Sequence, residues 1–284
     1  MGATQRPNVT WKDVPTRTLT AGGVEFAYRE LGTQNTGTPV IFLIHLAAVL
    51  DNWDPRVVDG FAAKHRVVTF DNRGVGASSG KPVSSIEEMA RDAITFIEAM
   101  GFEQVDLFGF SMGGMIAQEI VLMAPQLVRR MIVTGTGPAG GEGIGKVARV
   151  TYLDMVRGLL TRQDPKQFLF FTRTPAGIQA GKAFLLRLKE RSGNRDKEIT
   201  VTALQAQLKA LRRWGAKKPV DLSGVRHPVL VANGDSDRMV PSQNTRDLAL
   251  RLPNSELVIY PDSGHGAVFQ FHADFVSRAL AFLA

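Results

Sequence analysis

The sequence predicts an α/β protein in which a mostly parallel β-sheet is flanked by helices. Short apolar runs alternate along the chain with longer segments of helical periodicity, as expected for strands and helices that follow one another. From residue 138 to residue 220 this alternation stops, and only the helical pattern continues. We therefore expect a core made of residues 1–137 and 221–284, with residues 138–220 forming a helical insertion.

Along the chain, strands are expected at residues 16–19, 24–29, 39–44, 66–70, 105–108, 131–134, 228–233 and 257–260. A helix is expected from Ser85 to Met100, because Ser85 and Glu88 have the spacing of a capping box and apolar residues follow at helical intervals. Two apolar stripes predict helices in the insertion, one formed by Phe184, Leu185 and Leu188 and the other by Val201, Leu204, Leu208, Leu211 and Trp214. The run Phe168–Phe171 either faces a pocket or packs inside the insertion.

The most informative motif is Gly109-Phe110-Ser111-Met112-Gly113, which follows the strand at 105–108 and precedes a helical run. In a strand–turn–helix context, G-x-S-x-G forces the serine into a tight, strained turn at the positive end of the helix. The glycines allow the strand and the helix to approach closely. The motif therefore predicts that Ser111 is a nucleophile.

A serine hydroxyl needs a base to take its proton, and a third group must orient that base. Of the five histidines in the chain, His265 and His272 follow Ser111 and a further strand–helix–strand unit. His265 lies between glycines in a loop after the strand at 257–260, whereas His272 falls within the last helical pattern. We expect His265 to be the base, because such a loop exposes its side chain at the edge of the sheet.

The acid that orients the base is expected in the loop after the strand at 228–233, where Asp235 and Asp237 are both candidates. Their side chains point in different directions, so only one of them can reach the histidine. Asp237 lies further into the turn, and Asp235 is suited to bracing the loop by accepting backbone N–H groups. We favour Asp237.

Together these motifs resemble those of α/β-hydrolase-fold serine hydrolases, in the branch that includes esterases, non-haem haloperoxidase-like perhydrolases and carbon–carbon bond hydrolases. The resemblance extends over nearly the whole chain and includes the segment from Asp71 to Ser78, which matches the family's D-x-R-G-x-G-x-S turn. In that family the acid lies three residues after the strand-ending glycine, and counting from Gly234 this implies Asp237. The resemblance also implies that the insertion is a lid placed after the sixth core strand, and that Asp71 and Arg73 hold their loop.

The chain departs from this family at His45-Leu46-Ala47, where the family usually has His-Gly-x. By position, the backbone amides of Ala47 and Met112 are expected to form the oxyanion hole. Leucine in place of glycine narrows the backbone conformations available there. His45 is expected to support this loop and to take no part in catalysis.

The resemblance implies acyl transfer to Ser111 in two steps, with cleavage of a small-molecule ester or lactone. Carbon–carbon bond hydrolysis and perhydrolysis use the same triad and stay open as alternatives. A small-molecule receptor that hydrolyses weakly is a further alternative. A serine at this position argues against haloalkane dehalogenases and epoxide hydrolases, which use aspartate there.

Composition sets further limits. The chain has 284 residues and no cysteine, which excludes disulfides, a cysteine nucleophile and a thiolate metal site. We expect neither a metal nor an organic cofactor. The polar segment Met1–Pro15 lacks the apolar stretch of a signal peptide, and no segment has the apolar length needed to span a bilayer. A cytoplasmic protein without stable membrane insertion is therefore expected.

The insertion carries the net positive charge of the chain, with 17 lysines and arginines against 6 acidic residues between Ala139 and Val220. This charge could attract an anionic substrate or a membrane surface, but basic outer helix faces in contact with water explain it as well, and we favour that interpretation. No motif indicates nucleic-acid binding. The expected partner is a small-molecule substrate, and the sequence gives no information on the oligomeric state.

Overall fold

The computed structural model describes residues 9–284 and contains one eight-stranded sheet. Its strands are β1 (Arg17–Ala21), β2 (Val24–Leu31), β3 (Val40–Leu43), β4 (Val67–Phe70), β5 (Val105–Phe110), β6 (Val128–Thr134), β7 (Val229–Gly234) and β8 (Ser255–Tyr260). The strand order is β1-β2-β4-β3-β5-β6-β7-β8. Only the β1–β2 and β2–β4 pairs are antiparallel, so the prediction of a mostly parallel sheet is confirmed. The first eight residues, part of the polar Met1–Pro15 segment, lie outside the described residues.

The helices of the described residues follow the strands in the expected alternation. They are α1 (Pro55–Ala62), α2 (Ile86–Ala99), α3 (Met112–Met123), α4 (Val147–Thr161), α5 (Lys166–Phe170), α6 (Pro175–Arg187), α7 (Val201–Ala216), α8 (Ser242–Arg251), α9 (Ala267–Gln270) and α10 (His272–Leu283). The cap of α2 forms as predicted, because the Ser85 hydroxyl accepts the Glu88 N–H at 3.2 Å.

The eight expected strands are all present, but several ends differ. The largest difference is at β6, which begins at Val128 and not at Met131. Arg129 and Arg130 interrupt the apolar run there, and this hid the start of the strand. The side chain of Arg129 reaches the neighbouring strand, where its Nε donates to Oδ1 of Asp106 at 3.0 Å.

Two hydrophobic clusters cover the two faces of the sheet, and β5 contributes to both. Val105 and Leu107 face the cluster that contains residues of α2, α3 and α8. Phe108 and Phe110 face the other cluster, with residues of α1 and α10. Because helices cover both faces, the loops at the carboxyl ends of the parallel strands remain as the place for a site. Ser111 follows β5 in the middle of this edge.

The segment between β6 and β7 contains α4, α5, α6 and α7, and within the described residues it has no strand. On α7 the predicted residues Leu208, Leu211 and Trp214 are buried, but Val201 is exposed, and the buried face also includes Ala203, Gln207 and Ala210. Small alanines allow this side of the helix to approach the core, which widens the buried face beyond the predicted stripe. The division into a core (residues 1–137 and 221–284) and a lid (residues 138–220) stays a prediction.

Candidate active site

Ser111 lies at the turn between β5 and α3 with an unusual backbone conformation, φ 57° and ψ −116°. Two glycines make this turn possible. A Cβ atom on Gly113 would lie 1.8 Å from the carbonyl oxygen of Leu43, and one on Gly109 would lie 2.5 Å from the carbonyl oxygen of Gly113. The amide of Ser111 donates to the carbonyl oxygen of Thr134 at 2.8 Å, which fixes the turn to β6. The strain that the motif predicts is therefore present at Ser111.

Asp237 and His265 are brought together by the loops after β7 and β8. His265 Nδ1 and Asp237 Oδ2 are 2.7 Å apart, and both side chains are buried. The other carboxylate oxygen of Asp237 accepts the amides of Met239 at 2.8 Å and Val240 at 3.0 Å. The carboxylate is thus fixed by backbone donors and can hold Nδ1–H of the imidazole, which leaves Nε2 as the basic nitrogen.

Asp235, the alternative acid, has a different role. Its carboxylate accepts the amides of Asp262 at 3.1 Å and Ser263 at 3.3 Å, both in the loop that carries His265. It makes no hydrogen bond to His265 among the described residues. Asp235 therefore accepts backbone N–H groups, as the sequence suggested, but they belong to the histidine loop and not to its own loop. The other histidine candidate, His272, is the first residue of α10.

The Ser111 hydroxyl and His265 form no hydrogen bond in this structure, and within residues 9–284 the serine side chain has no other partner either. The His265 ring lies against Phe110, the residue before Ser111, with ring centroids 5.0 Å apart. Ser111 and His265 therefore lie at the same edge of the sheet, after the carboxyl ends of β5 and β8. Hydrogen bonds of this kind are often long in ligand-free enzymes and tighten when substrate binds.

The two expected oxyanion donors differ in their surroundings. The Met112 amide is the first of α3 and has no hydrogen-bond partner in the part of the chain that the structure describes. The Ala47 amide donates to Oε1 of Gln207 on α7 at 2.8 Å. No local signal in the sequence points to Gln207, because Ala47 and Gln207 are 160 positions apart.

The structure also explains how leucine is tolerated at position 46. Leu46 does not have a positive φ, whereas Ala47 has φ 59°. The turn therefore needs the left-handed conformation one residue later than the position of the family's glycine. An alanine in that conformation is strained by about 1–2 kcal/mol. The substitution at Leu46 leaves the turn intact.

His45 supports this turn, and it lies between the core and the insertion. Its Nδ1–H donates to the carbonyl oxygen of Leu46 at 2.8 Å. Burial lowers the pKa of His45 to about 3, so its imidazole is neutral at physiological pH. The ring packs edge-on against Phe110 of β5 and Phe170 of α5, with centroids 5.3 Å and 5.1 Å away. A neutral, packed imidazole fits the supporting role predicted for it.

Phe170 connects the insertion to the loop that carries His265. Its ring lies 5.5 Å from that of His265, and its carbonyl oxygen accepts the Gly266 amide at 2.8 Å. A Cβ on Gly264 would lie 2.7 Å from the same oxygen, so glycine is needed for this approach. Part of the aromatic run Phe168–Phe171 thus packs on the histidine that we expect to be the base.

The turn after β4 makes structural contacts beside the site. Asp71 Oδ1 accepts the Leu50 amide at 3.0 Å, and Arg73 Nε donates to Asp92 at 2.9 Å. Burial raises the pKa of Asp71 well above its usual range, and the facing carboxyl of Asp196 in the insertion raises it further.

Among residues 9–284, no three His, Asp or Glu side chains lie close enough together to hold a metal ion. In the same part of the chain, no helix is both long and apolar enough to cross a membrane.

Known proteins share this architecture. A family model described as "alpha/beta hydrolase fold" matches residues 38–271. The chain belongs to the α/β-hydrolase family. A solved structure, an alpha/beta hydrolase fold protein from Chitinophaga pinensis, is 34% identical to this α/β-hydrolase with a TM-score of 0.91, covering 97% of this chain and 99% of the other.

Two relatives with more specific names also align along most of this hydrolase. BpoC of Mycobacterium tuberculosis (strain H37Rv), provisionally named a non-heme bromoperoxidase, is 26% identical over 87% of this chain and 93% of its own. A 2-hydroxy-6-oxo-6-(2'-aminophenyl)hexa-2,4-dienoic acid hydrolase from Metapseudomonas resinovorans is 27% identical over 94% of this chain and 90% of its own. One relative is thus named as a haloperoxidase and the other as a hydrolase of a dienoic acid. Both names fit the branch of the family that the sequence motifs indicated.

Proposed function

We propose that this α/β-hydrolase cleaves a small-molecule ester or lactone through an acyl-enzyme on Ser111, with His265 as the base and Asp237 as the orienting acid. The observation that carries the proposal is the 2.7 Å contact between Asp237 and the buried His265, beside a serine held in a strained turn. This arrangement supplies a nucleophile, a base and an orienting acid, as acyl transfer requires.

In the first step Ser111 Oγ attacks the carbonyl carbon while His265 Nε2 takes the hydroxyl proton. Asp237 holds Nδ1–H and stabilises the imidazolium that forms. The negative charge on the carbonyl oxygen is received by the amides of Met112 and Ala47, and loss of one such donor typically costs about 3–4 kcal/mol of transition-state stabilisation. His265 then gives its proton to the leaving oxygen.

In the second step water attacks the acyl carbon with His265 again as the base, and Ser111 leaves with its proton restored. Every group in the cycle is a side chain or an amide of this chain, so we propose no metal and no organic cofactor. The insertion, residues 138–220, is proposed as the lid over the acyl group, which is consistent with the contact between Phe170 and His265. A cytoplasmic location also remains a proposal.

The two aspartates after β7 offer a matched test. Asp237→Asn should lower kcat for a p-nitrophenyl ester on the order of 10⁴-fold, because the amide no longer holds the correct tautomer of His265. Asp235→Asn carries the same chemical change within the same loop, and we expect kcat to stay within about tenfold of the wild-type value because Asp235 does not touch the imidazole. Equal losses in both variants would contradict the assignment of Asp237.

Carbon–carbon bond hydrolysis is the second candidate, and the relative from Metapseudomonas resinovorans favours it. The same triad would serve, and the leaving group would be a carbon acid. A panel that contains graded p-nitrophenyl esters, lactones and a dienone-type diketone separates the two candidates. Turnover of the diketone together with no turnover of esters would replace our proposal with this one.

A further inference from the structure

One polar contact between the insertion and the core is unexplained by the mechanism. The Ala47 amide, an expected oxyanion donor, gives its proton to Oε1 of Gln207 at 2.8 Å. Gln207 lies on α7 and is only 1% exposed. A backbone amide carries one proton. A substrate oxygen that uses this amide therefore has to replace the oxygen of Gln207.

The other end of the same carboxamide is unpaired. Since Oε1 accepts the Ala47 amide, Nε2 carries two donors, and it is buried without a hydrogen-bond partner among the described residues. A glutamine kept only for packing normally has both ends of its amide satisfied. Because Nε2 is unpaired, the contact with Ala47 is the one hydrogen bond that holds this carboxamide among the described residues, which makes it easier to displace.

The second oxyanion donor is not part of this contact. The Met112 amide makes no hydrogen bond to Gln207 or to any other residue in the described range. Gln207 therefore engages one donor of the hole and leaves the other free. A side chain of the insertion therefore binds one of the two amide donors of the proposed oxyanion hole.

We propose that Gln207 is a positioning residue of the insertion that competes with the substrate carbonyl for the Ala47 amide. In the free enzyme its carboxamide occupies this donor, and the incoming carbonyl oxygen displaces it. No covalent bond changes in this exchange, because one oxygen acceptor replaces another on the same N–H. The inference rests on the proposed function, since it assumes that the Ala47 amide serves as an oxyanion donor.

Such competition acts on binding, because substrate can enter only the fraction of enzyme in which the amide is free. Once the carbonyl has displaced Gln207, the chemical step is the same with or without the glutamine. A change at Gln207 should therefore alter KM and leave kcat unchanged. A residue with a purely structural role would instead lower the stability or the amount of active enzyme.

The test compares three substitutions on p-nitrophenyl acetate, with active sites counted by fluorophosphonate labelling. Gln207→Leu removes the acceptor and should lower KM by about twofold to tenfold at constant kcat, the range expected for one neutral hydrogen bond. Gln207→Glu keeps an oxygen for Ala47 and, as an anion, should bind the amide more strongly and raise KM. Gln205→Leu makes the same change at an exposed position of the same helix and should leave both constants unchanged.

An unchanged KM in Gln207→Leu would overturn the proposal, provided that thermal unfolding shows a folded variant. A fall in kcat of about 10²- to 10³-fold would also overturn it, because it would show that Gln207 donates to the oxyanion. If neither the wild-type protein nor any variant turned over or labelled, the proposed function and this inference would both be wrong. If the wild type is active and KM is unchanged in Gln207→Leu, only the proposed competition is wrong, and the proposed function is unaffected.

Discussion

The sheet and helix α4 of the insertion distribute their apolar side chains in opposite ways. In β5 every residue is buried, and its two faces contribute to the two hydrophobic clusters. Helix α4 begins with the buried Val147, but further along it buries Thr151, Asp154 and Gly158, and its exposed side carries Tyr152, Leu153, Met155, Val156, Leu159 and Leu160. Beyond its first turn, polar and small residues thus face inward on α4, and large apolar ones face outward.

This difference shows that the sheet and α4 are held by different kinds of contact. Burial of apolar surface on both faces holds the sheet together. The inward side of α4 instead relies on specific contacts such as the ion pair between buried Asp154 and Arg238, whose atoms are 3.3 Å apart. The sheet therefore holds Ser111 through closely packed apolar side chains, whereas the insertion adds individual contacts with the site, such as those of Phe170 and Gln207.

The same substitution in each region makes this comparison quantitative. Leu107 is fully buried, and Leu160 is 78% exposed. Leu107→Ala should lower the free energy of unfolding by about 3–5 kcal/mol, because it removes buried methyl groups and leaves a cavity. Leu160→Ala should change it by less than about 0.5 kcal/mol. Urea unfolding measures both, and a large loss in Leu160→Ala would mean that the outer side of α4 is covered in solution.

A smaller effect should arise at His45, where the two regions meet. Burial holds the pKa of His45 at about 3, below its value of about 6.5 in the unfolded chain, so the unfolded state binds the extra proton first. Above pH 6.5 this group does not affect stability. As the pH falls from 6.5 to 4.5, the free energy of unfolding should decrease by about 1.4 kcal/mol per pH unit from this residue, which is about 2.7 kcal/mol in total.

The measurement for His45 is urea unfolding between pH 4.5 and pH 7 in the wild type and in His45→Asn, which cannot titrate. The difference in the free energy of unfolding between the two proteins should change with pH in this range and be constant at higher pH. If the two proteins lost stability equally as the pH falls, His45 would not be buried as a neutral imidazole. That result would contradict the packing of its ring between Phe110 and Phe170.

Local signals in the sequence were sufficient to predict most of the local structure of the core. The G-x-S-x-G motif and the Ser85 cap act within a few residues, so their outcomes could be predicted from spacing alone. Asp237 was favoured over Asp235 from its place in the loop and from the family offset at Gly234, and the structure joins Asp237 to His265. These features depend on short stretches of backbone whose geometry the residue types fix directly.

The insertion could be recognised as helical, but the direction of its faces could not be predicted. Periodicity identifies which residues share a face, and on α4 the larger apolar face points away from the core. Gln207 on α7 and Asp196, whose carboxyl faces that of Asp71, depend on how distant segments meet. No pattern within a short window carries that information, and the contact with Ala47 was missed for this reason.

The central claim is that His265 activates Ser111, and intact-mass analysis after treatment with a fluorophosphonate probe tests it most directly. We expect the wild-type protein to gain the mass of one probe per chain, with the adduct on Ser111. Ser111→Ala and His265→Ala, each shown to be folded, should stay unlabelled. A folded wild-type protein that remains unlabelled, or a His265→Ala variant that labels at the wild-type rate, would contradict the account.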